Sequence, residues 1–82
     1  ILLFISLLYM MEKIKKIKIK VNGKVKVVEK NLKLQRLINN LKIPIKKVAI
    51  ELNHEILDKK KLTKIKVKQN DKIEIVHFIG GG

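Results

Sequence analysis

Three glycines, Gly80, Gly81 and Gly82, close the sequence, and the only other glycine among its 82 residues is Gly23. At an average glycine frequency of about 7%, three in a row at a terminus is expected in about three sequences per ten thousand. The run follows an alternating apolar segment directly, with no longer Gly/Ser tract around it, so it differs from an ordinary linker. A frayed terminus is the plain alternative. The chemical use of such an end is steric: backbone without Cβ atoms threads extended through a narrow channel and presents an α-carboxylate to another enzyme's active site. Other reactive arrangements fail on residue type. The hydroxyl side chains are Ser6, Tyr9 and Thr63 and there is no Cys, so neither a Ser/His/Asp nor a Cys/His nucleophile can be assembled. His54-Glu55-Ile56-Leu57-Asp58 approaches the HExxH zinc signature, but it ends in Asp and sits beside a turn, which makes His54 a surface-turn residue. His77 has no second ligand nearby in sequence, and neither GxGxxG nor a phosphate loop occurs. Nothing reads as catalytic or metal-binding.

Composition sets the scale of what can hold such a tail. One small domain fits in 82 residues. A domain of this size buries only about 60% of the surface its unfolded chain exposes, which leaves no room for a deep catalytic cleft. The absence of Cys excludes a disulfide framework and a thiolate zinc site, so the fold stands on its apolar core, which suits a reducing cytoplasm. Lys and Arg number 20 against 7 Asp and Glu, a net charge of +13, yet Arg36 is the single Arg. Nucleic-acid readers favour Arg for bidentate contacts, whereas Lys, Asn and Ile share A/T-rich codons, so base composition alone accounts for much of the excess. Ile1 to Met10 form an apolar run. It is too short for the roughly 20 residues of a membrane span and lacks the basic start and cleavage site of a secretory signal. The expectation is that translation starts at Met10 or Met11 and that residues 1–10 lie outside the fold, a membrane anchor being the disfavoured alternative. Residues 11–79 then form the domain and residues 80–82 a flexible tail.

The elements that must carry the tail are legible from periodicity. Ile17, Ile19 and Val21 alternate with Lys16, Lys18 and Lys20, a strand with one buried face. Asn22-Gly23 turns the chain. A three-residue loop, Asn22 to Lys24, would pair Val21 with Val25 and Ile19 with Val27 and keep the apolar faces together, giving a hairpin of residues 14–21 and 25–29. Leu34, Leu37, Ile38 and Leu41 fall on one helical face, with Asn31 as the N-cap and Pro44 forcing a stop near Leu41 or Lys42, about three turns. Val48 to Leu52 reads as a strand, Asn53-His54 as a turn, and Ile56-Leu57 as a short return. Residues 59–70 are ambiguous: Lys64 to Lys68 alternates like a strand, while the run of lysines argues for exposure. Asn70-Asp71 turns the chain into a last strand, Lys72 to Phe78. The order makes an α+β domain with one helix packed across a mixed sheet.

The segment Asp71-Lys72-Ile73-Glu74-Ile75-Val76-His77-Phe78-Ile79-Gly80-Gly81-Gly82 closely resembles the C-terminal end of the ThiS family, the sulfur carriers of thiamin thiazole synthesis. Val21-Asn22-Gly23-Lys24, the Leu34/Leu37/Ile38/Leu41 helix and Val48-Ala49-Ile50-Glu51-Leu52-Asn53 resemble the same family in the same order, over about residues 12–82. His54 and Asn70 stand where the family usually has turn glycines, and Lys60 to Lys68 is unusually basic. The resemblance implies a ubiquitin-like β-grasp fold and a protein that is a substrate, not a catalyst. It implies that a ThiF-like adenylyltransferase uses ATP and Mg²⁺, neither bound by this chain, to convert the Gly82 carboxylate to an acyl-adenylate. A persulfide donor then supplies sulfur, and the resulting Gly82 thiocarboxylate delivers it to a ThiG-like thiazole synthase. Gly80 and Gly81 give the tail its reach, and Phe78 with Ile79 anchors it on the partner.

Phe78 has a second reading, as a core aromatic. A sister carrier, resembling the small subunit of molybdopterin synthase or a tRNA-thiolation carrier, would share the same tail, because the sulfur acceptor is not encoded there. A small basic nucleic-acid-binding protein is the other class. Within residues 11–82 Phe78 is the only aromatic, so no base-stacking platform forms and no specific nucleic acid is expected as a partner, nor a membrane.

Overall fold

The computed structural model describes residues 1–78, and of residues 12–14 the backbone only. The helices are α1 (Leu2–Ile14) and α2 (Leu34–Asn40), and the strands β1 (Lys16–Val21), β2 (Lys24–Glu29), β3 (Val48–Leu52), β4 (Glu55–Ile56) and β5 (Lys72–His77). One sheet carries all five strands in the order β2-β1-β5-β3-β4. Only β1 and β5 run parallel, and every other neighbouring pair is antiparallel. The expected α+β class holds, and this strand order with α2 across one face is the β-grasp arrangement.

Alternation decides which residues form the core. Ile19 of β1, Val48 and Ile50 of β3, and Ile73 and Ile75 of β5 all point to the α2 side and are buried. They meet Leu34, Leu37 and Ile38 of α2, each 1% exposed or less. Full burial of such a side chain stabilises by about 1.5–3 kcal/mol. Leu62 and Val67 join the same core from the lysine-rich loop, so residues 59–70 are neither a strand nor a detached surface segment. They form a short 3₁₀ turn at Lys59–Lys61 and one isolated bridge between Lys33 and Lys66.

Three sequence-based expectations are corrected. The hairpin has a two-residue turn: Val21 faces Lys24, Ile19 faces Lys26 and Ile17 faces Val28. Asn22 and Gly23 both sit at positive φ, 51° and 82°, the conformation whose twist matches the flanking strands. Turn chemistry therefore overrides apolar matching. Val25 and Val27 lie exposed on the outer face of this edge strand as a result, and Val28 is its one buried residue. The strand expected from residue 14 begins at Lys16, because Ile14 ends α1.

The N-cap is Lys33, not Asn31, and it makes no side-chain cap bond. Asn31 is in a left-handed turn at φ 67°, and the next residues are committed elsewhere: Val67 N–H donates to the Leu32 carbonyl and Leu34 N–H to the Ile65 carbonyl, both at 2.8 Å. The bridge to the long loop takes the first turn the helix would have had. The helix closes as a Schellman motif, with Ile43 N–H donating to the Ile38 carbonyl and Lys42 at φ 58° in the position usually held by Gly.

The boundary expected after residue 10 falls inside α1, whose described side chains, like Ile1 before them, are all exposed and contribute nothing to the core. Among the described residues no helix is long and apolar enough to cross a membrane.

Candidate functional site: the end of β5

The tail follows β5, an inner strand of the sheet held on both edges. On one side of β5, Lys20 N–H donates to the Asp71 carbonyl and Asn22 N–H to the Ile73 carbonyl, both at 2.9 Å. The Asn22 side chain finishes that edge, its Oδ1 accepting from Ile75 N–H at 2.7 Å. Asn22 thus does two things at once: it adopts the left-handed conformation of the turn, and its side chain supplies an acceptor where β1 has ended. On the other side β3 pairs with β5 as far as Val48 opposite His77, and Phe78 N–H donates to the Lys47 carbonyl at 2.9 Å. The chain is therefore gripped on both edges up to Ile75 and on one edge through Phe78.

The opposite end of β5 is fixed as firmly. Asp71 accepts from Lys68 N–H at 2.7 Å and from Asn53 Nδ2 at 3.0 Å, while Asn53 Oδ1 accepts from Lys72 N–H at 2.9 Å. His54 and Asn70, standing in turns, sit at φ 73° and 71° without glycine. His and Asn are among the few residues that adopt this conformation readily.

Phe78 is the one sequence-predicted site residue that the structure describes. It is 60% exposed, so it is not a core aromatic. Because Ile73 and Ile75 point to the core, Val76 and Phe78 come out together on the outer face, Val76 52% exposed beside half-buried Ala49. The Lys59 ammonium lies 5.2 Å from the centre of the Phe78 ring, a cation–π contact. Lys59 is placed there by its 3₁₀ turn, whose start is capped by Asp58 Oδ1 accepting from Lys60 N–H at 2.9 Å. Val76, Lys47 and Lys59 belong to this surface and escaped the sequence reading. Period-two alternation pairs Val76 with Phe78, whereas the approach of Lys59 and the Lys47 carbonyl depends on long-range pairing that has no local signal. Ile79, Gly80, Gly81 and Gly82 lie outside the described residues.

Among the described residues no group of three or more His, Cys, Asp or Glu could hold a metal ion. Two clefts among the described residues, one lined by Tyr9, Lys30, Arg36 and Asn40 and the other by Leu52, Lys64, Lys68 and Asp71, include neither Val76 nor Phe78. What the arrangement can do chemically is offer a chain end, rooted in a central strand and flanked by exposed apolar side chains and Lys46, Lys47 and Lys59, to a partner's active site.

Several known proteins are similar to this chain in sequence and fold. The ThiS family model matches residues 19–82. A thiazole synthase of Paramagnetospirillum magneticum is 37% identical over 65 residues, which cover 79% of this chain and 20% of that protein, so the chain spans about a fifth of the length of that relative. The sulfur carrier protein ThiS of Bacillus subtilis is 39% identical over 49 residues, 60% of this chain and 74% of that one. The crystal structure of a thiamine biosynthesis protein (ThiS) from Geobacter metallireducens superposes with a TM-score of 0.72 at 33% identity, over 80% of this chain and 100% of that one. With a family match that runs from the core strand β1 to Gly82, the chain belongs to the ThiS family.

Proposed function

We propose that the protein is a sulfur carrier of thiamin thiazole synthesis, working in the cytoplasm as a substrate of other enzymes, with the Gly82 carboxylate as its reactive end. A free carboxylate is a poor acceptor, so activation comes first. In the active site of a ThiF-like adenylyltransferase holding ATP and Mg²⁺, the Gly82 carboxylate attacks the α-phosphorus of ATP and pyrophosphate leaves. Sulfide, or the terminal sulfur of a persulfide, then displaces AMP from the acyl carbon. Sulfide gives the thiocarboxylate directly. A persulfide gives an acyl disulfide, whose S–S bond a thiol reduces to release the thiocarboxylate.

The observation that carries this reading is the Gly80-Gly81-Gly82 end on a ThiS-family domain whose match reaches Gly82. The division of labour follows from physical chemistry. Gly80 and Gly81 present no Cβ to a narrow channel. Phe78, with Val76 and Ile79 beside it in sequence, supplies apolar area for the partner's entrance, and the grip on β5 fixes where the tail begins, which lowers the ordering cost of docking. The thiazole synthase relative, in which a ThiS-like stretch occupies a fifth of the length, supports a ThiG-like enzyme as the sulfur acceptor. Incubation with the cognate adenylyltransferase, ATP, Mg²⁺ and sulfide should shift the intact mass by exchange of one oxygen for one sulfur. An unchanged mass in the presence of an active adenylyltransferase would remove the proposal.

A further inference from the structure

We propose that α1 docks the protein on an anionic lipid bilayer, with the lysines at its root as the second attachment. Every residue from Ile1 to Met11 except Ser6 is apolar or, in Tyr9, aromatic, and these side chains are between 47% and 98% exposed. The core draws residues from the sheet, α2 and the long loop, and none from the described side chains of α1, which meets the domain where Tyr9 lines a cleft. A helix apolar on all sides is stable only where all sides are covered, in a protein core or in lipid. At about 1.5 Å per residue the 13 residues of α1 are shorter than a bilayer core. Insertion into one leaflet needs no span.

Charge selects the occupant. A second copy of this chain would cover one stripe of the helix and leave the rest in water, and it would bring together two bodies of +13 each. A bilayer covers every side. Only Lys15 separates α1 from β1, and Lys16, Lys18 and Lys20 then follow, all exposed. Across the cleft from Tyr9 stand Lys30, Lys33 and Arg36, with Glu29 as the one acid among its lining residues. Apolar residues, a tyrosine and then lysines is the order in which a bilayer changes from acyl chains to headgroups. An apolar anchor and a basic patch together give stable attachment where either alone is marginal, and each lysine near an anionic surface raises affinity several-fold.

Flotation of the full chain with vesicles tests this. Binding to vesicles with about one third phosphatidylglycerol should be at least tenfold tighter than to phosphatidylcholine alone, roughly as a few surface lysines require. It should weaken between about 50 and about 200 mM salt as screening shortens. Phe4→Glu with Leu8→Glu should abolish flotation without changing the thermal melt. Lys16→Gln with Lys18→Gln, which leaves α1 untouched, should cost about tenfold on anionic vesicles and little on neutral ones. Equal binding to both vesicle types, unimpaired flotation of the Phe4/Leu8 variant, no flotation of the parent, or a dimer by sedimentation that requires Phe4 and Leu8 would each overturn the proposal.

Discussion

Phe4 and Phe78, the only phenylalanines, are 63% and 60% exposed, yet they are held in opposite ways. Phe78 closes a strand paired on both edges, with its own N–H on the Lys47 carbonyl and Lys59 over its ring. Phe4 rides on a helix whose described side chains add nothing to the core. The difference teaches that exposure alone does not identify a functional aromatic. An exposed side chain on a strongly supported strand is presented in a fixed direction. The same side chain on an unsupported helix is presented to whatever will cover it.

The sharpest way to break the supported region is through α2. Leu37, 1% exposed beneath the helix, should cost about 2–5 kcal/mol when changed to Ala, read from urea or thermal unfolding. An unchanged melt would remove the packing face on which β5 rests. Next in size is Asn22→Ala, which deletes the acceptor for Ile75 N–H at 2.7 Å and places a β-carbon without polar help at φ 51°. An orphaned, partly buried donor and the left-handed strain together predict a loss of about 1–3 kcal/mol. A loss confined to a few tenths would mean that the turn, not its side chain, holds the edge of β5. The smallest effect belongs to the other Phe: deletion of residues 1–11 should shift stability by less than about 0.5 kcal/mol, since it removes no buried side chain. A large drop would show that α1 supports the domain after all.

Legibility followed the range of the interaction. The Leu34/Leu37/Ile38 face, the Asn53-His54 and Asn70 turns and the last strand rest on local rules, and they stand where the residues put them. The β1–β2 register departs from apolar matching because two local rules conflict at Asn22-Gly23 and the turn type that Asn-Gly prefers prevails. The helix start and the burial of Leu62 and Val67 depend on the bridge between Lys33 and Lys66, 33 positions apart by their numbers, which no window of sequence contains. At the candidate site the glycine end was visible as composition. The exposure of Phe78 was not, because an apolar strand residue is usually buried and which face of β5 meets the core is decided by the packing of Ile73 and Ile75 under α2.

Sulfur carriage through Gly82 requires a free carboxylate on a slim tail. The direct test is intact-mass spectrometry after incubation with ATP, Mg²⁺, sulfide and the cognate adenylyltransferase, comparing the parent with a chain carrying one extra residue after Gly82 and with Gly81→Val. The parent should exchange one oxygen for sulfur, and both variants should melt like the parent yet keep their starting mass. ATP-dependent sulfur loading of the extended chain at the parent's rate would contradict Gly82 as the reactive end.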